Sequence, residues 1–292
     1  MRLGLDRALL LAWLAATLAG CAGPVSDGTI ATTAPNGAVE RIPTATARPE
    51  GPGPFPAVVI LHDCSGLGPR SSGAPERWSR ELVARGYVTV IPDSFGTRGF
   101  PDGVCTDASP GRADVAPSRR VHDAYAALAH ARALPYVDGR RVGLMGGSHG
   151  GSTTLAALAA SPGRDGRAGF AAAVALYPGC GASYGGWRGN GVGTYRPAAP
   201  LLILIGEKDD WTPAPICVRL AASTRGTEHP VAITVYPGAH HSFDSDRPVR
   251  FVAARVNSHA RGGRGATTGG DAAAWADSIR RVVEFFDRHL RS

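Results

Sequence analysis

Gly146-Gly147-Ser148-His149-Gly150 is the stretch that decides the fold. It follows the strand-like run Arg141-Val142-Gly143-Leu144-Met145 and precedes the helix-like run Ser152-Thr153-Thr154-Leu155-Ala156-Ala157-Leu158. A serine at a sharp strand-to-helix turn needs neighbours without side chains two residues to either side, because the strand and helix backbones nearly touch there. Gly146 and Gly150 meet that demand, so the pattern reads as a nucleophile elbow with Ser148 at its tip. Glycines that merely closed a βα turn would leave no reason for an acid and a histidine to follow at matching positions.

Both follow. After the apolar run Leu201–Ile205 comes Gly206-Glu207-Lys208-Asp209-Asp210-Trp211-Thr212-Pro213, which places carboxylates just past a strand's carboxyl end. After Val231–Tyr236 comes Pro237-Gly238-Ala239-His240-His241-Ser242-Phe243. The order Ser, Asp, His is that of an α/β-hydrolase, and each candidate sits where a parallel sheet exposes its active site.

The same reading extends outward. Strands are expected at Ala57–Leu61, Tyr87–Ile91, Val142–Gly146, Ala171–Leu176, Leu201–Ile205 and Val231–Tyr236. Helices are expected between them at Pro75–Arg85, Ser118–Ala133, His149–Ala160, Pro213–Ser223 and Asp271–His289. This alternation requires a mostly parallel central sheet with crossover helices on both faces, and Val39–Thr46 adds antiparallel edge structure. Residues 95–117, 181–200 and 244–270 break the rhythm and read as long loops, either functional covers or disordered insertions. Two of them leave strand carboxyl ends and are expected to wall the substrate pocket, with Trp187, Tyr195 and Trp211 either walling it or pinning the loops to the core.

The oxyanion of acyl transfer needs fixed backbone N–H donors. The His149 amide, at the positive end of the helix after the serine, supplies one. The turn His62-Asp63-Cys64-Ser65-Gly66, after Val58-Val59-Ile60-Leu61, supplies the Cys64 amide as the other.

The N-terminus is set apart from the fold. Arg2 and Arg7 flank Asp6, Ala8–Ala19 is apolar but short, and the run ends in Leu18-Ala19-Gly20-Cys21. Small residues before a cysteine form a lipobox, so residues 1–20 are expected to be a lipoprotein signal peptide and Cys21 the lipid-bearing first residue. Residues 21–36 read as a flexible tether, and 37–292 as a single catalytic domain. The expected location is the bacterial cell envelope, with the chain held at a membrane by its N-terminal lipid.

Five cysteines become four once Cys21 is lipidated, and an exported chain can oxidise them. Cys64–Cys105 and Cys180–Cys217 are the expected disulfides, each joining loops at the sheet's carboxyl edge. No two cysteines have zinc-knuckle spacing, so no metal site is expected. The formal charge of +7 comes from arginines scattered among glycines, without a basic block or stripe, and this argues against nucleic acid as a partner.

Taken together, Pro56–His62, Pro92–Gly96, Gly146–Gly151, Leu204–Asp210 and Tyr236–Phe243 resemble the dienelactone hydrolase family over roughly residues 55–290. The resemblance implies hydrolysis of lactones and small esters without a cofactor. It also implies Asp209 as the acid, from the Gly206-x-x-Asp209 spacing, and His241 as the base, from its place just before a small residue and Phe243. The family's namesakes carry a cysteine nucleophile where this chain has Ser148, which favours a broader ester hydrolase over an enzyme for dienelactone itself. Asp63 stands where the namesakes place a carboxylate that gates the thiol. A serine peptidase of related fold and a non-catalytic surface lipoprotein are the alternative readings.

Overall fold

The computed structural model describes residues 25–34, 36–159, 169–189 and 191–291. The expected signal peptide and Cys21 lie outside them. In chain order the elements are β1 (Val25–Thr33), β2 (Val39–Ala47), β3 (Phe55–Leu61), α1 (Ala74–Val83), β4 (Val88–Pro92), α2 (Pro117–Ala133), β5 (Val137–Gly147) and α3 (His149–Ala159). There follow β6 (Ala173–Leu176), the short hairpin β7 (Trp187–Arg188) and β8 (Val192–Gly193), β9 (Leu201–Gly206), α4 (Ala214–Ser223), β10 (Ala232–Tyr236), the hairpin β11 (Arg250–Val256) and β12 (Arg264–Thr268), and α5 (Ala272–Leu290).

Eight strands form one sheet in the order β1-β2-β4-β3-β5-β6-β9-β10. From β4 to β10 every neighbouring pair is parallel, and β1 and β2 join antiparallel at one edge. Strands covered on both faces read as continuous apolar runs, and Phe55–Leu61 and Leu201–Gly206 have that character. This is the α/β-hydrolase architecture expected from the sequence.

The residues expected to form a tether depart from that expectation. Residues 25–33 are β1, whose pairing with β2 includes Ile30 opposite Ile42. Ile30, Thr32 and Ala34 alternate inward and are buried, so the segment has the period of a half-buried strand, and it satisfies the open edge of β2. Thr32 Oγ1 donates to Asp123 of α2 at 2.9 Å, and Arg98 reaches the same carboxylate at 2.6 Å.

Helices α2 and α3 pack on each other and on β5, while α1 packs on β3 and β4 and α5 on β5 and β9, with Trp78 and Trp275 edge to face at 4.7 Å. Asp271 caps α5 by accepting from the amides of Ala273 and Ala274 at 3.1 and 2.9 Å. Further along α5, the fully buried Phe286 presses on β5 where Gly143 leaves room for the ring. Truncating this ring leaves a cavity between helix and central strand. Phe286→Ala should therefore lower the free energy of unfolding by about 3–5 kcal/mol in urea titration.

Candidate active site

At the end of β5 the chain turns so sharply that Ser148 adopts φ 52°, a left-handed conformation that non-glycine residues rarely hold. The glycines on either side are sterically required. A Cβ on Gly146 would lie 2.4 Å from the Gly150 carbonyl carbon, and one on Gly150 would lie 2.2 Å from the Leu61 carbonyl oxygen. The Ser148 amide donates to Leu176 O of β6 at 2.9 Å, which ties the turn to the neighbouring strand.

His241 Nε2 lies 2.9 Å from Ser148 Oγ, and His241 Nδ1 lies 2.7 Å from Asp209 Oδ2. The second carboxylate oxygen of Asp209 accepts from the amides of Trp211 and Thr212 at 3.0 and 2.7 Å. The Thr212 hydroxyl lies 2.8 Å from Asp209 Oδ2 and 3.1 Å from His241 Nδ1, so it braces both members of the pair. The His241 ring is held between Tyr177 and Trp211, with ring centroids 4.7 and 4.8 Å away. Tyr177 is anchored in turn through its hydroxyl, which donates to the buried Asp244 at 2.8 Å.

The adjacent candidates point elsewhere. Asp210 accepts from Thr267 N and Thr267 Oγ1, both at 2.8 Å, and thereby fastens β12 to the acid loop. His240 is turned outward, its Nδ1 3.1 Å from Lys208 O.

Cys64 and His149 line the same cavity as Ser148. Their amides donate to no protein acceptor among the described residues. Asp63 accepts from Ser65 N at 2.7 Å and from Ser65 Oγ and Ser72 Oγ at 2.5 Å each, so its carboxylate shapes the turn that presents Cys64. The disulfides Cys64–Cys105 and Cys180–Cys217 are both formed. Among the described residues, one group of His, Cys, Asp and Glu lies close enough to share a metal ion, namely Asp63, Cys64 and Cys105, and its two sulfurs are spent on the disulfide.

Of the three aromatics expected as pocket walls, Trp211 borders the site. Trp187 and Tyr195 are buried and pin their loop instead, Trp187 Nε1 to Cys180 O at 3.0 Å and Tyr195 Oη to Leu155 O at 2.8 Å. The segment 244–270, expected as loop, holds the β11–β12 hairpin.

Sequence reading missed Arg120. It is fully buried beneath the site, where its guanidinium donates to His62 O at 3.0 Å and to His149 Nδ1 at 2.8 Å. Burial pulls its pKa down to about 10, so it remains a cation at neutral pH. The available signal was the amphipathic period of α2, which sets Arg120 in line with the buried Ala124, Ala127 and Ala131.

The family model for the dienelactone hydrolase family matches residues 42–290. The chain belongs to the dienelactone hydrolase family. A dienelactone hydrolase-like promiscuous phosphotriesterase from metagenomic libraries has a TM-score of 0.64 and 21% identity, over 92% of this chain and 99% of its own. The esterase 2 of Thermogutta terrifontis, in a form phosphonylated by cyclosarin, has a TM-score of 0.63 and 17% identity, over 91% and 95%. At such identities the likeness is one of fold. A curated relative, the probable dipeptidyl-aminopeptidase B of Grosmannia clavigera, is 43% identical over 88 residues, which are 30% of this chain and 9% of that protein's length. The family is one of hydrolases.

Two histidines beside the elbow couple folding to pH. Burial and the nearby Arg120 charge hold His62 and His149 well below the ordinary value of 6.5, so both are neutral in the folded state. The unfolded chain takes up protons below pH 6.5 that the folded chain refuses. Their contribution to stability is thus complete above that pH and is lost as the pH falls toward the depressed folded values, by up to about 1.4 kcal/mol per pH unit for each histidine. Denaturant titrations from neutral to mildly acidic pH should show this acid slope, and His149→Gln should remove one histidine's share of it.

Proposed function

We propose that this chain is a serine hydrolase that cleaves small carboxylic esters or lactones through an acyl-serine intermediate. The observation that carries this reading is the unbroken line from Asp209 through His241 to Ser148 Oγ, at 2.7 and 2.9 Å. His241 Nε2 takes the Ser148 proton as Oγ attacks the carbonyl carbon, and Asp209 fixes the imidazole and stabilises its protonated form. The amides of Cys64 and His149 hold the tetrahedral oxyanion. His241 then protonates the departing alkoxide, and water activated by the same nitrogen releases the acid and regenerates Ser148.

No cofactor enters these steps. The peptidase alternative draws on the dipeptidyl-aminopeptidase relative, but that match reaches only 9% of the relative's length. Nucleic acid is not a partner in this reading.

Purified protein assayed on nitrophenyl acetate tests the assignment. Ser148→Ala and His241→Ala should each lower kcat by about 10⁴-fold or more, because the members act as a unit. Asp209→Asn should be severe, whereas Asp210→Asn should be mild because that carboxylate holds β12 rather than the imidazole. A severe Asp210→Asn with a mild Asp209→Asn would assign the acid differently.

The lipobox supports a second, separable proposal, that Cys21 is lipidated and holds the enzyme at the bacterial cell envelope. Mass spectrometry of the membrane fraction should find a lipid-modified N-terminal peptide beginning at Cys21. A mature chain starting elsewhere would remove the anchor and leave the catalytic reading untouched.

A further inference from the structure

Ser148 and His241 open on one side into a pocket whose wall carries Arg70, Arg247, Arg250 and Arg255. The last three come from the segment after His241, on or beside the β11–β12 hairpin. Among the described residues no carboxylate lies within 4.0 Å of Arg247, Arg250 or Arg255, and Arg70 meets only Asp102, at 3.8 Å between exposed side chains. The pocket's one acid is Asp63, and its oxygens already accept from Ser65 and Ser72.

Arg255 is the most telling of the four. It is half-buried, with its guanidinium carbon 5.0 Å from the centre of the Trp211 ring, and its Nε is buried without a hydrogen-bond partner. Its Nη1 approaches nothing more polar than Cys64 Sγ, at 4.0 Å. Removing a guanidinium from water without a partner is costly, and stacking on an indole offsets only part of that cost. Four like charges around one opening also repel one another, and the field they focus there attracts anions. Planar guanidinium forks match the paired oxygens of phosphate and carboxylate groups.

We propose that this pocket binds a multiply charged anionic group of the substrate, so that the ester or lactone cleaved at Ser148 carries a phosphate or paired carboxylates. This rests on the hydrolase reading of Ser148 for its place in catalysis, but anion binding can be measured without turnover. The shared chemistry is a compact group with at least two negative charges, and pyrophosphate and citrate separate its two sources.

The experiment uses the full chain. Calorimetry on Ser148→Ala should detect pyrophosphate, citrate or both at submillimolar Kd, of order 10⁻⁴ M, weakening as salt is raised. In the wild-type protein the same anion should compete with nitrophenyl acetate. Arg255→Gln and Arg250→Gln should each weaken binding at least about tenfold, Arg250 serving as the variant that does not disturb the Trp211 stack. Arg140→Gln, at a side chain 92% exposed elsewhere on the molecule, removes the same net charge and should leave binding unchanged. A preference for pyrophosphate assigns a phosphorylated substrate, and a preference for citrate a polycarboxylate. If neither anion binds, or if binding ignores Arg250 and Arg255, the proposal falls, and continued turnover of nitrophenyl acetate in that preparation leaves the hydrolase reading standing. Anion binding that depends on these arginines in a protein without ester turnover would overturn the hydrolase reading and keep the pocket.

Discussion

The near-contact of three backbones, at the ends of β3 and β5 and the start of α3, is the constraint on which the site depends. No Cβ fits at Gly146 or Gly150, because each would strike main-chain atoms that cannot move aside. That closeness forces Ser148 into its left-handed conformation at the N-terminus of α3. It also brings the turn after β3 beside the serine, so Cys64 and His149 come from different elements yet line the same cavity as Ser148. Strain at Ser148 is sustained because the surrounding chain leaves no alternative: its amide is fixed to β6 and the following helix is packed on α2 and β5.

A single buried charge reinforces that arrangement. Arg120 bridges the carbonyl of His62, in the turn that carries Cys64, and the ring of His149 at the start of α3. Buried guanidinium groups are costly unless their donors are used, and its Nε is left without a partner. Burial, together with this charge, holds the two neighbouring histidines well below their ordinary value and keeps them neutral.

The parallel strands, the helices between them and Ser148 were legible because each followed from local chemistry, whereas the choice of Asp209 and His241 over Asp210 and His240 came from the family resemblance. Buried parallel strands must be apolar throughout, and an elbow must have its glycines. The less legible parts depend on contacts far away in the chain. Residues 25–33 look like linker until β2 offers an edge to pair with, since their inward alternation rests on only Ile30, Thr32 and Ala34. The β11–β12 hairpin hides because Phe251 is 66% exposed and arginines interrupt the apolar pattern, so β11 buries little, and the hairpin is held by Asp210 on Thr267 and by the Asn257 amide on Gly265 O at 2.7 Å. Asp210 was the acid set aside in favour of its neighbour, and its actual partner could not be read from spacing.

These far contacts divide the molecule's work. The sheet and its helices fix the reacting groups, and little about them can vary without a backbone clash. Around that rigid centre, the segments after β4 and β6 are stapled to it by Cys64–Cys105 and Cys180–Cys217, and the segment after His241 is clasped by Asp210. A disulfide or a clasp constrains where a loop runs while leaving its side chains free to differ. The clasped segment is the one that brings Arg247, Arg250 and Arg255 to the pocket. Residue 209 thereby orients the imidazole, and residue 210, one step along the same loop, holds the arginine-bearing hairpin beside it. The Asp209–His241–Ser148 geometry and the charge of the pocket are in this way set by adjacent carboxylates, so a shift in the acid loop would disturb both together.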